Sequence, residues 1–367
     1  MSQRLDVTFI LTLAPGESAE QKALGIALEQ TVELGAEVIS DDIRERMVGR
    51  IDALEALADG RYRAVISYPL AAIGTELSQC LNLLFGNISL KQGMRIVDIR
   101  WPQALLDAFG GPRHGIAGLR EICAAPRGPL LCSALKPMGM SAAELAERAY
   151  QFALGGVHII KDDHGVADQP DAPFAERLAR CQEAIARANA ATGGRSLYFP
   201  NVTAGYAELP RRLEAARQAG CQGVLINPWV TGLDAMRWAR DEFGLALMAH
   251  PALTGAYFGA DHGIAPELLL GDLFRLAGAD ASIYPNTGGR FGFTVETCEA
   301  INHHLRRELG GLRPAFPTPG GGMDVKRAPE WIRRYGPDTI VLIGGSLYAQ
   351  GDLAAASRTL KEALATA

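Results

Sequence analysis

Four ionisable residues stand side by side in HIIKDDHGVADQ, residues 158–169: Lys161, Asp162, Asp163 and His164 directly follow an apolar stretch. Charged groups abutting a core strand are costly unless the chain leaves the core there. Strand side chains alternate, so Lys161 and Asp163 share one side and Asp162 faces the other. Two chemistries are open to that pair. One is an ion pair, which spacing alone favours. The other is a metal site in which the lysine is itself converted to a carboxylate.

Other residues able to do chemistry also close apolar runs. Lys136 ends PLLCSALKP, where a lysine is destabilising unless paired and where its pKa can fall toward a useful value. His250 follows LALMA, as a structural histidine or an acid–base group, and Asn201, Asn227 and Asn286 follow three further runs as turn formers or substrate contacts. TPGGG, with Gly320, Gly321 and Gly322, and IGGS, with Gly344 and Gly345, leave backbone N–H groups unobstructed. That suits a phosphate; the alternative is a pair of tight turns. TGGRFGF, residues 287–293, is a glycine-hinged loop carrying Arg290, able to close over a substrate or simply to lie on the surface.

These residues need a scaffold that brings strand ends together. From residue 130 the chain alternates short apolar strands with amphipathic helices: PLLCSALKP, VHIIKDD, SLYFPNVT, GVLINPW, LALMAHP, ASIYPNT, RPAFPTPGG and TIVLIGGS are the strands. SAAELAERAYQFALGG carries a capping signal at Ser141 and Glu144 and stops at Gly155-Gly156. Near-continuous apolar strands alternating with helices mean a parallel sheet, and eight such units predict a closed (β/α)8 TIM barrel over 126–367. Catalytic residues of such barrels lie at the C-terminal strand ends, where the residues above fall. An open doubly wound sheet is the structural alternative, but no GxGxxG follows the first strand.

Residues 1–125 read as an N-terminal α+β (ferredoxin-like) domain with a linker. RLDVTFILTLA, AEVISD and YRAVISYP are expected strands. GESAEQKALGIALEQTVEL and TELSQCLNLLFGN are expected helices, and DIRWPQALLDAFGGPRHGIAGLREICAAPRG the linker.

With 36 Lys+Arg against 41 Asp+Glu the net charge is −5, which does not point to nucleic acid or a membrane surface as partner. The six cysteines show no CxxC and read as reduced core residues. No apolar run is long enough for a membrane span, and MSQRLDVTFI lacks a signal-peptide pattern, so the expected location is cytoplasmic.

The pattern resembles the large subunit of ribulose-bisphosphate carboxylase (RuBisCO) over almost the whole chain. ALKP around Lys136 is similar to that family's strand-one lysine motif, and GGVHIIKDDHG to its strand-two segment. FGNISLKQGMRIVDIRWP and FGGPRHGI are similar to its linker signatures. YFPNVTAG, AHPALTG and LAGADASIYPNTGGR fall where strands three, five and six fall. The resemblance implies a carbamylated Lys161 that binds Mg²⁺ with Asp163, and it reverses the preference for an ion pair. His164, standing where the family has a glutamate, would ligate directly or through water.

Several departures set the chain apart from a carboxylase. Met138 stands near the place of a second lysine, and KPMGMS is one residue shorter. Pro251 replaces a phosphate-binding arginine, Thr254 a histidine, and Arg290 the mobile-loop lysine; the strand-six histidine has no counterpart. The chain is therefore similar to the RuBisCO-like, non-carboxylating branch. The implied chemistry is a metal-stabilised enolate on a phosphorylated sugar-derived substrate. Loss of proton-handling residues suits 3-oxo-isoapionate-4-phosphate decarboxylase, or its transcarboxylase/hydrolase relative. The alternatives are a 5-methylthioribulose-1-phosphate isomerase or enolase, and a non-catalytic phosphosugar-binding protein. The resemblance also implies a homodimer in which Glu29 and Asn87 of one subunit complete the site of the other.

Overall fold

In the computed structural model, residues 4–35 and 37–366 are described. The chain divides into two compact units, Met1–Gly110 with Leu253–Leu269, and Gly111–Ala252 with Leu270–Ala367. The sequence reading set the division at 125 and did not separate the 253–269 segment.

The first unit is an α+β layer. Strands β1 (Arg4–Leu11), β2 (Arg50–Ala56), β3 (Tyr62–Pro69) and β4 (Met94–Arg100) form an antiparallel sheet in the order β4-β1-β3-β2. The helix Ala19–Glu29 has Ser18 as N-cap, its side chain accepting from the Gln21 amide. Two expectations fail here. AEVISD is not a strand: residues 37–39 turn and bend, and Ser40 caps a helix over Asp41–Met47 (Ala36 lies outside the described residues). A capping serine followed by two aspartates favours a helix start, and the strand comes later as β2. MRIVDIR is a strand and not linker; Met94, Ile96 and Ile99 are its buried residues, and the three-residue step from Ile96 to Ile99 falls where its register with β1 shifts, as at a bulge.

The second unit is the barrel. Its eight strands are β5 (Leu130–Leu135), β6 (Ile159–Asp162), β7 (Leu197–Phe199), β8 (Gly223–Ile226), β9 (Ala246–Ala249), β11 (Ala281–Pro285), β12 (Phe316–Gly320) and β13 (Ile340–Leu342). All eight lie inside the stretches read from the sequence. The two-residue β10 (Gly263–Ile264) belongs to the first unit, where it runs parallel to β4. Parallel ladders join β13-β5-β6-β7 and β8-β9-β11-β12. A bridge between Asn201 and Leu225 links β7 to β8. At the β12/β13 seam, Leu342 packs so close to Gly320 that a Cβ there would stand 2.9 Å from it.

Ser141 and Glu144 form the expected capping box on the helix Ala142–Leu154. The supposed linker instead supplies a helix, Gly115–Ile122, whose Ile116 and Leu119 join the barrel's central cluster with Leu130, Ile159, Ala246 and Ile340. It is anchored by Asp280, fully buried, which accepts from the amides of His114 (2.8 Å), Gly115 (2.7 Å) and Leu247 (2.9 Å). Hence 115–122 is core and not connector.

Candidate active site

The register of the barrel decides which side chains face its axis. Cys132, Ile159, Phe199, Leu225, Met248, Phe316 and Ile340 lie in the central cluster. Counting on by two or four along each strand puts Lys136, Lys161 and Asp163, Asn201, Asn227, His250, Gly320 and Gly344 on that same side, at the C-terminal end.

Lys136 reaches across to Asp163, Nζ to Oδ1, at 3.7 Å, with the two side chains 38% and 27% exposed. It is therefore paired and partly open to solvent, unlike the buried unpaired cation its strand suggested. The absence of a side chain on Gly344 makes room for it: a Cβ there would meet Lys136 Nζ at 3.0 Å. The other oxygen of Asp163 lies 3.5 Å from His164 Nδ1. Burial works to raise the Asp163 pKa. The His164 hydrogen bond and the charges of Lys161 and Lys136 outweigh it, holding the carboxyl well below its usual range.

Lys161 does not form the ion pair with Asp163 that spacing favoured. It is 2% exposed, and its Nζ donates to the Asp162 carbonyl oxygen at 3.2 Å. An ammonium has three donors, so a buried one with a single backbone acceptor is poorly satisfied. Burial, the main cause, lowers its pKa.

His164 stacks on His250 with ring centroids 4.3 Å apart and planes 10° from parallel. His250 Nδ1 accepts from the Ala252 amide at 3.1 Å. Burial first, then the charges of Lys161 and His164, push its pKa well below that of a free imidazole.

Asp162 faces away from this group, as alternation requires. Fully buried, it pairs with the equally buried Arg177 (Nε to Oδ2, 3.1 Å) and accepts from the Tyr198 hydroxyl (2.7 Å) and the Asn201 amide (2.9 Å). Arg177 also holds the Ala167 and Ala172 carbonyls, at 2.7 and 2.5 Å. This network fixes the loop after β6 and escaped the sequence reading. One of three arginines on the amphipathic helix Phe174–Thr192, Arg177 carries no sequence signal that sets it apart from Arg180 and Arg187. Asn201 belongs to the same scaffold: its Nδ2 donates to the His164 and Val166 carbonyls at 3.0 and 3.1 Å. Its amide thus positions the loop.

The glycine loops at the mouth are packed against one another. A Cβ on Gly289 would stand 1.8 Å from the Gly321 carbonyl oxygen, and one on Gly322 would stand 2.8 Å from the Asn286 carbonyl oxygen. Backbone approach explains these glycines without a ligand, whereas Gly345 has open space around it. Arg290 remains exposed, its guanidinium 5.7 Å from the centre of the Phe291 ring, and is not drawn in with the other candidates. In the first unit, Glu29 and Asn87 meet although 58 residues apart: Asn87 Nδ2 donates to Glu29 Oε1 at 3.2 Å, and Lys91 pairs with Oε2 at 2.9 Å.

Among the described residues no three His, Cys, Asp or Glu side chains converge as ready metal ligands. Asp163 and His164 offer one oxygen and one nitrogen donor. Carbamylation of Lys161 would add a second carboxylate-type donor and remove a poorly satisfied buried ammonium. The residues thus fit a divalent cation in that form.

The sequence model described as "Ribulose bisphosphate carboxylase large chain, catalytic domain" matches residues 115–366. The chain is 43% identical to "Ribulose bisphosphate carboxylase-like protein 1" of Rhodopseudomonas palustris, over 96% of this chain and 95% of that one. It is 40% identical to a "5-methylthioribulose-1-phosphate isomerase" of Rhodospirillum rubrum, over 96% and 93%. It is 32% identical to a "2,3-diketo-5-methylthiopentyl-1-phosphate enolase" of Geobacillus kaustophilus, over 92% and 85%. The crystal structure of a Rubisco-like protein from Rhodopseudomonas palustris superposes with a TM-score of 0.91 at 40% identity, covering 100% of this chain and 98% of the other.

Proposed function

We propose that this chain, which belongs to the ribulose-bisphosphate carboxylase large-chain family and is a RuBisCO-like protein, isomerises a phosphorylated methylthio-ketose of the 5-methylthioribulose 1-phosphate type by moving a proton next to a carbonyl. The observation that carries the reading is the Lys136 amine held 3.7 Å from Asp163 at the barrel mouth, on the inward side shared with His250.

The sequence alone leaned toward a decarboxylase, because groups that would handle protons are lost, among them the second strand-one lysine near Met138 and the histidine replaced by Thr254. Two considerations now favour the isomerase. An amine and an imidazole, of Lys136 and His250, are grouped at the mouth and can serve proton transfer. Relatives whose names state an activity include an isomerase at 40% identity and enolases at 32%. These are names of enzymes, which also weighs against a pure phosphosugar binder.

In this reading carbamylated Lys161, Asp163 and His164 hold a Mg²⁺, which would polarise the substrate carbonyl and stabilise negative charge on its oxygen. Lys136, fixed by Asp163 and seated against Gly344, moves the proton. The stacked His164–His250 pair walls one side of the site, and the open backbone at Gly345, with Gly344, receives the phosphate. Asp162, Arg177 and Asn201 keep the loop carrying His164 in place.

The test is incubation with 5-methylthioribulose 1-phosphate and Mg²⁺ in D₂O, followed by NMR. Deuterium entry at the carbon next to the carbonyl, with isomer formation, is expected. Absence of exchange, together with CO₂ release from a phosphorylated 3-oxo acid, would restore the decarboxylase reading.

A further inference from the structure

Between the helices Val295–Arg306 and Ala328–Tyr335 lies a cavity of about 320 Å³ that the active-site reading does not use. Arg306, Arg307 and Arg334 line it, against one carboxylate, Glu299. Glu299 is taken by Arg334 at 2.6 Å, and Arg307 pairs with the buried Asp272 at 2.6 Å. Arg306 has no carboxylate partner among the described residues. Its Nε and Nη1 donate only to the backbone carbonyls of Asn302 (3.3 Å) and Tyr335 (2.8 Å).

Two of the residues that line this cavity carry a buried donor with no partner. Asn302 is 2% exposed and takes the Tyr284 hydroxyl on Oδ1, which leaves its Nδ2 buried without a partner. Arg307 Nε is buried and unpartnered as well. Native interiors rarely leave such donors unpaired. A ligand that relieved them would have to be an acceptor, and an unmatched guanidinium calls for a negative one. The helix ends here disfavour an anion through their carbonyls, but Arg306 already donates to two carbonyls at this place.

We propose that this cavity is a second ligand site, separate from the barrel mouth, that binds a small phosphate-bearing anion through Arg306, Arg307 and Asn302. Glu299 acts as a built-in competitor that holds Arg334 until the ligand arrives. The volume suits a phosphate with a short organic stem.

Calorimetric titration of the full-length protein with inorganic phosphate, at constant ionic strength, tests this. Arg306→Gln and Asn302→Asp should each weaken one saturable binding event by roughly tenfold or more, as loss or reversal of a charge-assisted bond predicts. Glu299→Gln should tighten it several-fold, because it removes the competing carboxylate and frees Arg334. A merely structural role for Glu299 would give no gain, so this variant decides the matter if the others fold poorly. An isotherm unchanged by Glu299→Gln, or no saturable binding beyond the barrel mouth, would overturn the proposal.

Discussion

The amine of Lys136 lies 3.7 Å from Asp163 Oδ1, so the carboxylate that follows Lys161 pairs with a lysine from the first barrel strand and not with its own neighbour. That pairing presents an oriented amine to the mouth. Lys136→Met should therefore lower kcat by about 10²–10⁴-fold, the usual contribution of a positioned acid–base group. The melting temperature should barely change, because the ion pair is partly solvent-exposed. Steady-state kinetics beside thermal unfolding checks this; a large loss of stability with kcat intact would assign Lys136 a structural role.

Lys161→Ala should abolish turnover, and so should removal of divalent cations by a chelator. Protein stripped of CO₂ should regain activity with bicarbonate, and ¹³CO₂ should give a carbamate carbon signal that the variant lacks. His164→Glu should tighten Mg²⁺ by supplying an oxygen ligand, read by titration calorimetry. Full activity in excess chelator would remove the metal from the mechanism.

The buried Asp162–Arg177 pair should be a stability element. Arg177→Met leaves an uncompensated buried carboxylate and should cost about 3–5 kcal/mol in denaturant unfolding. Asp162→Asn combined with Arg177→Met should cost less than Arg177→Met alone. Equal losses would mean that the charge pairing contributes little.

His158, just before β6, accepts the Leu131 amide on Nδ1 at 2.9 Å and is therefore neutral in the fold. Burial, helped by the charges of Lys361 and Arg120, lowers its pKa from 6.5 to about 4. A depressed histidine contributes stability that is fully present above pH 6.5 and is lost as pH falls through about 4. His158→Gln should flatten the melting temperature between those two values. An unchanged pH profile would show that His158 titrates normally.

Glu29 and Asn87 meet on the first unit and are proposed to complete the barrel site of a second subunit in a homodimer. Mixing Lys161→Ala protein with Asn87→Ala protein should then restore up to about a quarter of wild-type activity, through hybrid dimers with one intact site; the fraction follows from random pairing of equal subunits. No recovery after verified subunit exchange would count against a shared site.

The repeating part of the molecule was readable in one dimension. Each barrel strand is a short run buried on both faces, and each helix repeats near 3.6 residues, so periodicity placed all eight strands, and the Ser141–Glu144 spacing placed the cap. The same alternation correctly set Asp162 apart from Lys161 and Asp163, because a backbone of period two leaves no choice. What the sequence could not determine is which partner each side chain takes. Asp163 chose Lys136, 27 positions away, over Lys161; Gly344 makes room for that lysine; Arg177 closed on Asp162; Glu29 found Asn87. The segment 115–122, a connector by composition, became core because the barrel's interior needed Ile116 and Leu119 to fill it. Such choices rest on distances between residues remote in the chain, and only the packing of each unit, strands closed into a barrel in the second and helix against sheet in the first, sets those distances.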